Sequence, residues 1–220
     1  MSEIIFNGPA GRIEGRYIQS SDPYASVALI LHPHPKHGGT MNNKISYKLF
    51  QTFVEKGFST LRFNFRGVGK SEGVYDSGEG ELADAAAAMD WLQSTHLHAR
   101  GFWVAGFSFG AWIGMQLLMR RPELDAFISV SPPTNMYDFN FLAPCPVSGL
   151  IIHGDEDAVV PHNYTSALVD KLNNQKGIAI EYKLIKGADH FYNNCIENLM
   201  GEVSNYIDLR VSNVLKRRIA

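Results

Sequence analysis

The sequence predicts an α/β protein: a mostly parallel central sheet with helices on both faces, folded as one domain over residues 1–220. Three observations predict it. Short apolar runs alternate with longer helical patterns along most of the chain. The run at 27–31, Val-Ala-Leu-Ile-Leu, holds no polar residue, as expected of a strand buried on both faces. The pentapeptide Gly106-Phe107-Ser108-Phe109-Gly110 lies between one such run and a helical pattern.

Residues 3–7 and 11–19 read as two strands around the turn Gly8-Pro9-Ala10-Gly11. After the strand at 27–31, Ile45, Leu49, Phe50, Phe53 and Val54 recur at helical spacing over 42–56, and Gly57 stops the helix. A strand follows at 59–65. An alanine-rich helix follows at 79–94, with Leu82, Ala85, Met89 and Leu92 along it. The strand at 102–105 leads into a helix at 109–119 that Pro122 ends. Strands at 126–130 and 149–152, a helix at 163–172, a strand at 178–185 and a long helix at 194–215 complete the alternation. In such sheets ligands bind beyond the carboxyl ends of the strands, so the chemistry is expected in the loops that follow them.

With 45% hydrophobic and 19% charged residues, the composition is that of a globular chain. A net charge of −2 with no basic stripe argues against nucleic acid as a partner. Lys216, Arg217 and Arg218 suit a solvated helix end. No apolar run reaches the roughly 18–20 residues of a membrane span, and no signal peptide opens the chain, so a cytoplasmic location without membrane contact is expected. Cys145 and Cys195 form no disulfide framework and are expected to be free. A homodimer could form through an edge strand or the final helix, and nothing in the sequence decides it.

Gly106-Phe107-Ser108-Phe109-Gly110 fits a sharp strand–turn–helix in which the glycines allow close approach and the serine hydroxyl is lifted clear of the sheet. A serine needs a base to take its proton. His190, after the strand at 178–185, is the candidate base. The loop after 149–152 offers three acids, and the pattern G-x-x-D-x-x-V-P over 154–161 selects Asp157. Asp155 is the rival, better suited to bonding loop amides, as is Asp189; Glu156 is expected to face solvent. Ser108, Asp157 and His190 would then act as nucleophile, orienting acid and general base. His96 and His98 are expected at a helix end, solvated or capping it, while His153 and His162 flank the acid loop.

The loop His32-Pro33-His34-Pro35-Lys36-His37 has two readings. It could hold a metal, or its stiffened backbone could supply part of an oxyanion hole, with the amides of His34 and Phe109 as donors. The second is preferred, and neither a metal nor a cofactor is expected. Arg66-Gly67-Val68-Gly69-Lys70-Ser71 imitates a phosphate loop, but Asn64 stands where the first glycine is required, so the match fails. Asp76 or Glu81 is the expected partner of Arg66.

The segments at 31–44 (Leu-His-Pro-His-Pro, then Gly-Gly-Thr-Met-Asn-Asn-Lys) and 65–81 (Phe-Arg-Gly-Val-Gly, then Tyr-Asp and Gly-Glu), together with Gly-Phe-Ser-Phe-Gly and Gly-Ala-Asp-His-Phe, resemble the small bacterial α/β-hydrolases. That group is distantly akin to dienelactone hydrolases, although the nucleophile here is serine rather than cysteine. The resemblance covers nearly the whole chain. It implies the α/β-hydrolase fold with the triad on Ser108, Asp157 and His190, while its motifs are specific for no substrate; the reaction read from the residues is hydrolysis of an ester, or secondarily of a thioester or amide, of a small to medium acyl substrate. A peptidase or acyltransferase on the same triad, or a ligand-binding protein on a hydrolase scaffold, are the alternatives. Only 132–147 separates two strands where many relatives insert a lid, so no cap domain is expected. Phe107, Phe109, Trp112, Tyr137, Phe139 and Phe141 are the candidate pocket aromatics, half of them expected simply to fill the core.

Overall fold

A computed structural model describes residues 1–219, with side chains through residue 212. Lys216, Arg217 and Arg218 therefore fall outside the described side chains.

The described residues form eight strands and five helices: β1 (Ser2–Gly8), β2 (Gly11–Ile18), β3 (Val27–Leu31), α1 (Lys44–Glu55), β4 (Ser59–Phe63), α2 (Glu79–Thr95), β5 (Phe102–Phe107), α3 (Phe109–Leu118), β6 (Leu124–Val130), β7 (Gly149–Gly154), α4 (His162–Asn173), β8 (Ile180–Ile185) and α5 (Ile196–Ile219). Single 3-10 turns, absent from the sequence reading, occur at Pro35–His37 and Asn140–Leu142. The strand order is β1-β2-β4-β3-β5-β6-β7-β8. β1 pairs antiparallel with β2, and β2 antiparallel with β4; from β4 to β8 every pairing is parallel. This is the α/β-hydrolase fold, with 132–147 forming loops and one 3-10 turn rather than a cap.

Apolar side chains cover both faces of the sheet. Leu82, Ala85 and Met89 of α2, Ile113 and Leu117 of α3, and Leu168 and Leu172 of α4 pack on one face. Ile45, Leu49 and Phe53 of α1, with Leu199, Val203 and Ile207 of α5, pack on the other. β3, β5 and β7 lie between two covered faces, which is why they are apolar apart from buried His153 near the end of β7, while β8, at the edge, carries Glu181 and Lys183.

Strand boundaries depart from the sequence reading where side chains leave the ladder. β4 stops at Phe63; the Asn64 amide still donates to Glu14 O (3.1 Å), and its side chain donates to Glu14 Oε1 (2.8 Å) and accepts from the Met41 amide (2.8 Å). β5 runs two residues beyond 105, straight into the turn at Ser108. α1 starts at Lys44 because the Asn43 side chain accepts from the Ile45 and Ser46 amides as an N-cap.

Arg66 does not rely on Asp76 or Glu81. Its guanidinium meets Asp84 of α2 through Nε (3.0 Å) and Nη2 (2.8 Å), and its amide donates to the same carboxylate (2.9 Å). Asp76 lies 3.7 Å away as a lesser partner. Glu81 instead accepts from the Asp76 and Gly78 amides, capping α2. His96 caps the end of α2 as expected, its amide bonding Gln93 O, but it is buried rather than solvated, with Nε2 meeting the Tyr17 hydroxyl at 2.7 Å; His98 is exposed.

Candidate active site

β5 ends on Phe107 and α3 begins on Phe109, so Ser108 alone makes the turn. It does so at φ 52°, ψ −118°, a left-handed conformation that is strained for any residue with a Cβ. A methyl group on Gly106 would run into the Gly110 carbonyl, and one on Gly110 into the carbonyls of Leu31 and His32. The two glycines thus let the turn close and let α3 press against the end of β3. The Ser108 amide donates to Val130 O (2.9 Å), and its carbonyl accepts from Ala111 (2.9 Å) to start the helix.

Ser108, His190 and Asp157 meet at the carboxyl ends of β5, β8 and β7. His190 Nδ1 lies 2.7 Å from Asp157 Oδ2, and its Nε2 lies 3.2 Å from Ser108 Oγ. A carboxylate can only accept, so Nδ1 carries the hydrogen, and Nε2 is left to accept from the serine. The other carboxylate oxygen, Oδ1, accepts from the amides of Val159 (2.9 Å) and Val160 (2.8 Å). His153, fully buried, donates from Nε2 to Val160 O (2.8 Å), with Asp157 Oδ2 also 3.2 Å away. Burial alone would raise the Asp157 carboxyl. Hydrogen bonds from His153, His190 and Val160, with the charge of His190, hold it well below the usual carboxylate range.

The rival acids are otherwise engaged. Asp155 accepts from the Gly187 amide at 2.6 Å, and Asp189 from that of Asn193 at 3.0 Å; Glu156 is exposed. The His190 loop is braced by a pair absent from the sequence reading. Buried Tyr192 (φ 53°) and Ser131 (φ 44°) hydrogen-bond through their hydroxyls at 2.9 Å, tying the loop to the end of β6. The Phe107 ring packs beside the His190 imidazole, centroids 5.2 Å apart.

The site opens into a cleft of about 340 Å³. His34, His37, Gly39 and Asn43 line it on the β3 side, and Pro133, Met136, Val159 and Phe191 come from the loops after β6, β7 and β8. Of the expected pocket aromatics, Phe107, Phe109 and Tyr137 line it. Trp112 and Phe139 do not. Trp112 stacks on Tyr137 (4.1 Å, 24°) and donates to Asp138 O, while Phe139 is buried against Phe141. Their aromatic character serves packing one layer behind the cleft. Met136, Val159 and Phe191, which no sequence pattern marks as pocket residues, are each more than 40% exposed at the mouth. The adjacency of Phe191 to His190 was the one available signal.

Neither the Phe109 nor the His34 amide donates a hydrogen bond within the protein among the described residues. Phe109 is the first residue of α3, where the helix leaves its amides unpaired. The rings of His34 and His37 lie 4.6 Å apart, but among the described residues no three His, Cys, Asp or Glu side chains are grouped to hold a metal ion. His34 Nδ1 accepts from the Lys36 amide (3.1 Å) and its Nε2 meets the Tyr75 hydroxyl (3.1 Å). Both nitrogens of buried His32 are engaged, with Pro33 O and the Phe65 amide.

Burial pushes the His32 imidazole down to about 4, from an ordinary 6.5; its bond to Pro33 opposes this and the charge of His34 adds to it. Between those values the unfolded chain binds more protons than the folded one, so stability rises with pH across the window. Acidification from pH ~6.5 to ~4 is therefore expected to cost about 3 kcal/mol through this residue. Urea titrations of wild type and His32→Asn at pH 7 and 4.5 check it: the variant should lose less stability on acidification.

The strand order, the serine on its strained turn and the hydrogen-bonded path from it to a buried carboxylate place the protein among the α/β serine hydrolases. Residues 19–144 match the family model of the X-Pro dipeptidyl-peptidases (S15 family), and the chain belongs to that family. It is 50% identical over 211 residues to an uncharacterized protein of Rickettsia prowazekii, covering 94% of this chain and 89% of the relative. It is 58% identical to a protein of unknown function from Agrobacterium tumefaciens described as a candidate α/β hydrolase, with a TM-score of 0.94 over 96% of this chain and 97% of that one. A serine hydrolase without a lid from Xanthomonas campestris matches at 28% identity and a TM-score of 0.83, over 93% and 92% of the two chains. Among the described residues no helix is long and apolar enough to cross a membrane.

Proposed function

We propose that the protein is a carboxylesterase-like enzyme that cleaves esters or thioesters of small to medium, uncharged acyl substrates through an acyl-enzyme on Ser108. The observation that carries this reading is the Ser108–His190–Asp157 path opening into a cleft that, among the described residues, is lined by no carboxylate, ammonium or guanidinium group. In this reading His190 Nε2 takes the Ser108 proton as Oγ attacks the carbonyl carbon. The amides of Phe109 and His34 bind the oxyanion of the tetrahedral intermediate. The imidazolium, stabilised by Asp157, gives its proton to the departing alkoxide or thiolate. Water, activated by the same imidazole, then releases the acid and restores Ser108.

A dipeptidyl-peptidase must recognise the free amino terminus of its substrate. An ammonium entering this cleft would meet apolar and imidazole groups and no anion, which favours an ester over a dipeptide. The two free cysteines suit the reducing cytoplasm, where we place the enzyme.

Fluorophosphonate labelling followed by peptide mass spectrometry should give a single adduct on Ser108. In parallel, kcat/KM for p-nitrophenyl butyrate should exceed that for Gly-Pro-p-nitroanilide by at least about 10³-fold, because a buried unpaired charge is so costly. Comparable turnover of the dipeptide would replace this reading with a peptidase. A folded protein that takes no label would replace it with a ligand-binding one.

A further inference from the structure

One buried titratable group beside the cleft takes no part in the reaction as written. His32 follows β3 directly and is fully buried. Its Nε2 lies 3.1 Å from the Phe65 amide and its Nδ1 2.6 Å from Pro33 O. An amide can only donate, so Nε2 is the acceptor and Nδ1 carries the hydrogen given to the Pro33 carbonyl. That carbonyl and the His34 N–H are the two ends of one planar peptide. Fixing the oxygen fixes the direction of the hydrogen.

The prolines do not by themselves set that plane. Pro33 locks its own φ, and Pro35 restricts His34 to the extended region it occupies (φ −54°, ψ 122°). The ψ of Pro33, which turns the peptide about the chain, is left to other contacts. His32 holds the carbonyl by its hydrogen bond. Gly39 packs against it so closely that a methyl there would strike the Pro33 and His34 carbonyls. The Gly39 and His37 amides hold the following carbonyl, that of His34, at 3.0 and 3.1 Å.

We infer that His32 is a positioning residue for the oxyanion: it orients the Pro33–His34 peptide so that the His34 amide faces the carbonyl oxygen of a substrate on Ser108. This rests on the esterase reading above. The amide meets full negative charge only in the transition state, so the effect falls on kcat rather than KM.

The two ring nitrogens have separable jobs, and two variants split them. His32→Asn places an amide N–H where Nδ1 stands and keeps the clamp on Pro33. His32→Gln places a carbonyl near Nε2 and keeps only the bond to Phe65. With p-nitrophenyl butyrate, His32→Gln is expected to lose about 10–100-fold in kcat, less than outright removal of an oxyanion donor, with KM within about twofold. Its affinity for a trifluoromethyl ketone, which mimics the tetrahedral state, should fall by the same factor. His32→Asn should keep kcat within about threefold yet melt earlier, because the Phe65 amide is left buried and unpaired. Gly39→Ala, pushing the same peptide from its other side, should lose kcat as His32→Gln does.

If His32→Asn loses as much kcat as His32→Gln, or if activity simply follows melting temperature across the variants, His32 is a structural pin and the inference fails. Wild-type protein that neither takes the fluorophosphonate nor turns over the ester would remove the esterase reading itself, before any variant is compared.

Discussion

Replacing Ser108 with alanine is expected to lower kcat for p-nitrophenyl esters by at least about 10⁴-fold, because among the described residues no other nucleophile is hydrogen-bonded to His190 Nε2. His190→Ala should cost about as much, and Asp157→Asn somewhat less, since the acid acts only through the imidazole. The Ser108→Ala/His190→Ala double variant should be little worse than either single one, as expected of groups that act in one step. A second substitution separates chemistry from stability. Ser108 sits at φ 52°, which glycine adopts without penalty. Ser108→Gly should be equally inactive but about 1 kcal/mol more stable than Ser108→Ala, reflecting backbone strain held at the turn. Steady-state kinetics and urea unfolding of the three proteins test both halves. Equal stability of the alanine and glycine variants would mean that the turn holds no usable strain.

Asp84→Ala is expected to be the most destabilising single change outside the apolar core, by about 3–5 kcal/mol. Asp84 is fully buried and receives three hydrogen bonds from Arg66, two from the guanidinium and one from the amide. Truncating it leaves the guanidinium, with 10% of its side-chain surface exposed, facing Asp76 at 3.7 Å. Removing both charges together, as Arg66→Leu/Asp84→Leu, should recover most of the loss, because the desolvation of the ions goes with them. Arg66→Lys should not substitute, since an ammonium cannot match two carboxylate oxygens in one plane. Urea midpoints of the three variants against wild type decide the matter; a loss below about 1 kcal/mol for Asp84→Ala would show the pair to be solvated.

The Arg66 pair also shows where sequence reading stopped. Asp76 and Glu81 are nearer in sequence, and both do lie at the start of α2. What selects Asp84 is the helix itself: it presents that residue one turn further on, toward the sheet, while Glu81 is drawn back to cap the helix. The aromatic residues failed in a similar way. Trp112 and Phe139 follow the same loops and strands as Tyr137 and Phe107, and composition cannot tell which ring lines the cleft and which supports it from behind.

The sequence by itself determined the fold class, the strand–turn–helix at Ser108, and the chain order in which serine, acid and histidine follow successive strands. These are local matters. Five residues with two glycines dictate the turn, because any side chain at 106 or 110 would strike a backbone carbonyl, and uniformly apolar runs can be satisfied only between two covered faces. Only the tertiary structure decided that Met136, Val159 and Phe191 form the mouth, that Asp84 rather than Asp76 or Glu81 holds Arg66, and that His32 grips the Pro33 carbonyl. Those depend on how α2 and the loops after β3, β4, β6, β7 and β8 are set side by side. That spacing is fixed by strand order and packing, between residues too far apart in sequence for any local pattern to connect them.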